Sequence, residues 1–105
     1  MEEMDKEYAV IIQNPAAQML LEHARFLAQV SEDAALRLTD EFVNKAKTLE
    51  DMPERCPWLI CDGIAERKYR KLIFEKHYML VFQIVDKTVY VDAMLDCRTD
   101  YSWLL

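Results

Sequence analysis

His77-Tyr78-Met79-Leu80-Val81-Phe82-Gln83-Ile84-Val85 is the stretch that decides how this chain folds. It is nearly all apolar, so it reads as a central strand covered on both faces and not as a surface strand with one wet side. Asp86-Lys87 follows as a two-residue turn, and Thr88-Val89-Tyr90-Val91-Asp92-Ala93-Met94-Leu95 comes next. In that segment Val89, Val91, Ala93 and Leu95 take alternate positions and are predicted to line one face. On the other side, Lys68-Tyr69-Arg70-Lys71-Leu72-Ile73-Phe74 is predicted as a strand with a strongly cationic start. The back half is therefore expected to be a meander of three strands.

Working outward to the front of the chain, Tyr8-Ala9-Val10-Ile11-Ile12 is a short β-branched run cut off by Gln13-Asn14-Pro15. That pattern predicts a strand and then a helix, with Asn14 as cap and Pro15 at the first helical position, where its missing N–H costs nothing. Over residues 15–30, Leu20, Ala24 and Leu27, widened by Leu21 and Ala28, mark the core face of an amphipathic helix. Ser31 is a second N-cap, and Glu32 and Asp33 after it favour the positive end of a helix dipole. Ala35, Leu38, Phe42, Ala46 and Leu49 step by three and four to about Asp51, and Met52-Pro53 is expected to end this helix. So short a connection predicts an antiparallel helical hairpin. Residues 53–66 contain Pro53, Pro57 and Gly63 without periodicity and read as a long loop. The fold class that results is α+β, in the order β-α-α-β-β-β, with a helical hairpin packed on a small antiparallel sheet.

At 105 residues the chain has length for a single domain spanning 1–105, because two cores would each be too small. The 52% hydrophobic and 30% charged residues are those of a folded globular protein. Neither a membrane span nor a signal peptide is apparent, so a cytoplasmic protein is expected. The charge is uneven. Residues 1–53 hold five Lys/Arg against eleven Asp/Glu, and residues 54–105 hold eight of each, which places the whole net charge of −6 in the front half. Such a balance disfavours a surface that grips nucleic acid throughout and leaves room for a local basic patch.

Cys56, Cys61 and Cys97 are odd in number and carry no zinc-ligand spacing, and His23 and His77 stand far apart in sequence. No disulfide framework, metal or other cofactor is expected. Arg67, Lys68, Arg70 and Lys71 read either as a solvated edge strand that discourages aggregation or as the footprint of an acidic partner. Alternation is expected to set Lys68 and Arg70 on one face and Arg67 and Lys71 on the other. Tyr69, Tyr78, Tyr90 and Trp58 read as packing residues. Trp103, Leu104 and Leu105 are too apolar to stay in water, so they either fold back or cover a partner. A thiol enzyme built on Cys97, activated by neighbouring Arg98, is a separate and weaker reading.

The ordered set of the Tyr8–Ile12 strand, the Asn14-Pro15 helix start, the Leu49-Glu50-Asp51-Met52-Pro53-Glu54-Arg55 helix exit, the Arg67–Leu72 strand and the Asp96-Cys97-Arg98-Thr99-Asp100-Tyr101 tail resembles the RelE/ParE toxin family. The resemblance runs from Tyr8 to Tyr101. It implies the toxin of a bacterial type II toxin–antitoxin (plasmid stabilisation) system, neutralised by a cognate antitoxin, with the ParE-like side favoured. RelE-like members cut mRNA on the ribosome, and ParE-like members poison DNA gyrase.

On the nuclease reading Arg98 and Tyr101 stand where such members place catalytic residues, and Asp100 stands where some have histidine. Many members carry arginine in the central strand where this chain has Met79, which supplies neither charge nor proton. Met79 and the acidic balance therefore tilt the reading toward gyrase. Ribosome-dependent mRNA cleavage, or a decayed module that only binds antitoxin, stays as the alternative. The implied partners are the antitoxin, through Arg67, Lys68, Arg70, Lys71, Trp103 and Leu104, and either gyrase or the ribosome with its message. A homodimer is left open.

Overall fold

The computed structural model describes residues 7–60 and 66–97. Strand β1 (Ala9–Ile12) leads into helices α1 (Asn14–Ala28) and α2 (Glu32–Thr48), and a 3₁₀ turn at Pro53–Arg55 precedes β2 (Arg70–Phe74), β3 (Tyr78–Val85) and β4 (Thr88–Asp96). The α+β fold and the β-α-α-β-β-β order are those expected. Strands β2, β3 and β4 form an antiparallel meander, and β1 pairs in parallel with β4, Ala9 opposite Thr88 and Ile12 opposite Val91. The sheet order is β1-β4-β3-β2, which leaves β1 and β2 at the edges.

The helices pack against each other and against the sheet. Ser31 caps α2 as expected, its Oγ accepting the Ala34 N–H at 3.1 Å. In α1, Asn14 is already helical and Gln13 takes the extended cap conformation with no side-chain cap. The reason is that the Gln13 N–H donates to the Val91 carbonyl at 2.9 Å, carrying the β1 ladder one residue further than the apolar run suggests. The core face of α1 is also shifted. Ala16 is buried and Met19, Leu20 and Leu27 pack on the core, whereas Leu21 is 42% exposed and Ala28 faces out.

Helix α2 ends at Thr48, before the expected stop at Met52-Pro53. Its terminal carbonyls at Ala46, Lys47 and Thr48 accept the N–H groups of Leu49, Glu50 and Asp51, and the turn that follows is held by one side chain. Arg55 Nη1 donates to the carbonyls of Asp51 and Met52, both at 3.2 Å, and of Thr48 at 3.5 Å, and Nη2 donates to Thr48 Oγ1 at 3.0 Å. A cation here also suits the negative end of the helix dipole. Met52 turns the chain with a φ of 50°, a left-handed conformation that a non-glycine residue adopts at a cost of about 1–2 kcal/mol.

Two apolar clusters hold the sheet. On the helix side lie Leu38, Phe42 and Ala46 of α2 with Leu80, Phe82, Val89 and Val91 of the sheet. On the other side lie Leu59, Met79, Val81, Ala93 and Leu95. The predicted single face Val89-Val91-Ala93-Leu95 is therefore split. Val81 pairs with Ala93 but Phe82 pairs with Val91, so Asp92 is an extra residue in β4. A bulge of one residue reverses the inward–outward phase beyond it, which sends Ala93 and Leu95 to the face opposite Val89 and Val91.

Candidate functional site

The face of the sheet away from the helices is where the central-strand position 79 looks out. Met79 is 4% exposed and is packed among Leu59, Val81, Ala93 and Leu95, with Met19 of α1, Tyr69 and Cys97 at the border. Position 79 is thus a buried packing position on this face. Polar groups stand further along the same strands, where Gln83 donates to Asp92 Oδ2 at 2.6 Å. Gln83 can approach because the bulge turns Asp92 toward it.

The cationic segment does not form the two-faced strand that alternation predicts. Arg67 has a φ of 59° and lies with Lys68 in an exposed turn, because β2 begins only at Arg70. Lys68 Nζ stands 5.3 Å from the Tyr69 ring centre. Arg70 is turned back on the preceding loop: its guanidinium stacks 3.8 Å from the Trp58 ring centre, and Nη1 donates to the carbonyls of Cys56 (2.7 Å) and Glu54 (3.2 Å). The same loop is laced to β2 by Leu59 N–H to Tyr69 O at 2.7 Å and Lys71 N–H to Pro57 O at 3.0 Å. Of the four cations, Arg70 is engaged with the preceding loop and holds it in place. Arg98, Asp100, Tyr101, Trp103 and Leu104 lie outside the described residues.

Cys56 is buried and Cys97 half-buried, and Arg98, the activator that the thiol reading requires, lies outside the described residues. Burial pushes the Cys97 thiol up, and the Asp96 carboxylate adds to the rise, with Lys71 and a backbone hydrogen bond opposing among the described residues. A nucleophilic cysteine needs the opposite shift. Cys56 is likewise raised by burial, against the smaller pull of Arg55 and Arg70. At the start of β1, Tyr8 donates to Glu54 Oε2, and Lys87 lies 4.8 Å over the Tyr8 ring and 3.3 Å from Glu7 Oε1. The shared hydrogen bond raises the Tyr8 hydroxyl and lowers the Glu54 carboxyl, and the contact with Glu7 raises Lys87.

Residues 10–101 match the sequence model of the family described as the ParE toxin of the type II toxin-antitoxin system, parDE. The chain belongs to the ParE toxin family. A solved chain described as the chromosomal ParDE TA system from P. aeruginosa superimposes on it with a TM-score of 0.68, over 87% of this chain and 97% of that one. Sequence identity with that chain is 14%, so the likeness speaks for the fold alone. No curated protein sequence matches.

One constellation in this ParE-family chain escapes a linear reading. His23 and His77, distant in sequence, both meet Tyr78, with ring centres 5.7 Å and 4.4 Å away. Tyr78 pairs with Asp96, which is 4% exposed and is the buried charged residue among those described. The sequence does hold a signal for His23, which continues the Ala16, Leu20, Leu27 stripe of α1 and so must point at the sheet. His77 has no comparable signal, because its position depends on where the β2–β3 turn falls. Among the described residues no group of His, Cys, Asp and Glu is arranged to hold a metal ion. No helix among them is long and apolar enough to cross a membrane.

Proposed function

We propose that this ParE-family chain is a cytoplasmic toxin neutralised by a cognate antitoxin, and that it acts on DNA gyrase and not as a ribonuclease. The carrying observation is the buried Met79 at the centre of the sheet. RNA strand scission passes through a phosphorane whose charge must be met by fixed donors, and loss of one such donor typically costs about two to three orders of magnitude in rate. With an apolar residue at position 79, Arg98 and Tyr101 would have to carry phosphate stabilisation and proton transfer, and Asp100 would add negative charge beside an anion. The engagement of Arg70 with the Glu54 and Cys56 carbonyls works in the same direction, since message binding calls for cations turned to phosphate. Interaction with a protein makes no such demand.

The test is to induce the chain alone in a bacterial host and then together with the product of the adjoining reading frame. Growth arrest that the neighbour relieves is the expected result. Primer extension on a translated message, beside a gyrase cleavage assay, separates the targets. Gyrase–DNA cleavage complexes without message cuts are expected. Codon-positioned cuts that vanish in Arg98→Ala and Tyr101→Phe would make the chain a ribonuclease.

A further inference from the structure

Helix α1 carries two lines of side chains, and the helix-side core takes one of them. Ala16, Leu20 and Leu27 belong to that core. Met19, His23, Phe26 and Val30 step by four, three and four, which sets them in a second line beside the first. Val30 follows the end of α1 but keeps the helical phase, because the Gln29 backbone stays αR. Met19 is half-buried and packs against both apolar clusters. His23, also half-buried, has its ring centre 5.7 Å from that of Tyr78. Beyond it Phe26 is 66% exposed and Val30 is 83% exposed. Apolar side chains exposed singly are ordinary on a protein surface. These two instead continue a line whose other half is packed.

The end of β4 lies beside that packed half. Asp96 pairs with Tyr78, the residue that His23 meets, and the Cys97 N–H donates to the His77 carbonyl at 2.7 Å. Cys97 also borders the cluster that Met19 borders. From there the sequence continues as Arg98-Thr99-Asp100-Tyr101-Ser102-Trp103-Leu104-Leu105. Trp103 is six residues beyond Cys97, a stretch that can span up to about 20 Å when extended. Val30 is seven residues beyond His23, about 10 Å along the helix. Trp103 therefore has the reach to arrive over Phe26 and Val30.

Size selects the occupant of the exposed half. An aromatic side chain buries roughly 150–250 Å², so Phe26 with Val30 falls well short of the roughly 800 Å² per partner of a stable interface. A second copy or a separate protein needs more surface than this line provides. A tethered segment needs less, because its attachment supplies a local concentration in the millimolar range. Trp103, Leu104 and Leu105 have the apolar surface to match.

From these features we infer that the segment after β4 folds back along α1 and lays Trp103 and Leu104 over Phe26 and Val30, as a strap. It ties the end of β4 to the tip of the helical hairpin, past the meeting of His23 and His77 on Tyr78. Trp103 and Leu104 are thereby engaged within the chain and withdrawn from partner contact.

The experiment uses the full chain. Nuclear Overhauser effects from the Trp103 indole to the Phe26 ring and the Val30 methyls are expected, unchanged on dilution. In a second measurement Trp58→Phe leaves Trp103 as the single tryptophan, and acrylamide quenching reads its exposure. Slow quenching is expected. Phe26→Asp is expected to lower the ratio of docked to free strap about tenfold or more, the loss equivalent to about 1.4 kcal/mol, and Val30→Asp to lower it by a smaller factor. Leu36→Asp, at an exposed position of α2, is the control and is expected to change nothing.

Quenching of Trp103 as fast as that of free indole, with no Overhauser effect to Phe26 or Val30, would overturn the strap. Protection that neither Phe26→Asp nor Val30→Asp relieves would put the segment on another surface and overturn it as well. Protection that grows with concentration would give the line to a second copy. Should any variant fail to fold, the Overhauser contacts of the wild-type chain decide alone.

Discussion

The sheet separates two apolar faces that differ in what closes them. The helix face is covered by side chains from α1 and α2 and includes aromatic rings, Phe42 and Phe74 meeting edge-on at 6.5 Å between centres. The opposite face is built from the smaller set Leu59, Met79, Val81, Ala93 and Leu95, which α1 touches through Met19. One face is thus a core assembled from long-range packing. The other is a patch of strand residues with a loop residue, Leu59, laid against it. The comparison teaches that position 79 is closed chiefly by strand and loop neighbours, with Met19 of α1 at the border.

The sharpest way to break this comparison is to hollow out each face in turn and measure urea unfolding. Phe82→Ala on the helix face is expected to cost about 3–5 kcal/mol, the range for removing a fully buried aromatic ring. Met79→Ala on the other face is expected to cost about 2–3 kcal/mol, and Met79→Leu less than about 1.5 kcal/mol, since it keeps the volume. A loss below about 1 kcal/mol in Met79→Ala would mean that the second face is an open surface in solution, and the contrast would collapse.

Ser31→Ala acts on the helix side alone. Removing the cap that receives the Ala34 N–H is expected to cost about 1 kcal/mol. Amide exchange should quicken in α2 and remain slow across the Met79–Leu95 pairing. Quickening at both would show that the two faces open as one unit.

The smallest effect belongs to neither face. Glu54 is held below its ordinary value by the Tyr8 hydroxyl, so its stabilisation is present above the unfolded carboxylate range and is lost as pH falls through the lower folded value. Tyr8 is raised by the same bond, so its share is complete below the unfolded tyrosine value and is lost as pH rises through the higher folded one. Glu54 is exposed and Tyr8 half-buried, and salt is expected to flatten both effects. Thermal melts of wild type and Tyr8→Phe across pH should be offset by a constant amount between the two ranges and converge at both extremes. A difference that persists in high salt would assign the shifts to another cause.

How far the sequence could be read depended on whether a signal was local. The strands β3 and β4 and the helix α2 were legible because composition, period and the Ser31 cap agreed over adjacent residues. The two-faced cationic strand at Arg67–Lys71 was not, since the positive φ of Arg67 and the stacking of Arg70 on Trp58 belong to a turn and a loop that only the folded chain brings together. The helix stop was misplaced for a similar reason. Pro53 was visible, but the capping of α2 by Arg55 from seven residues beyond Thr48 was not. Of the candidate site, Met79 was legible as a departure from the family pattern, and the place of His77 was not legible at all.

By itself the sequence determined the element order, the helical hairpin, the meander and, through its resemblance, the family, because hydrophobic period and turn chemistry act between neighbours along the chain. Tertiary structure alone decided that β1 lies parallel to β4 with an open outer edge, that Asp92 bulges and sends Ala93 and Leu95 to the second face, and that His23 and His77 converge on Tyr78. Each of these is a matter of register or of which edge is left unpaired. Register is fixed by the fit of whole strands and helices against one another, and a one-residue shift that leaves the local pattern intact reverses every side chain beyond it.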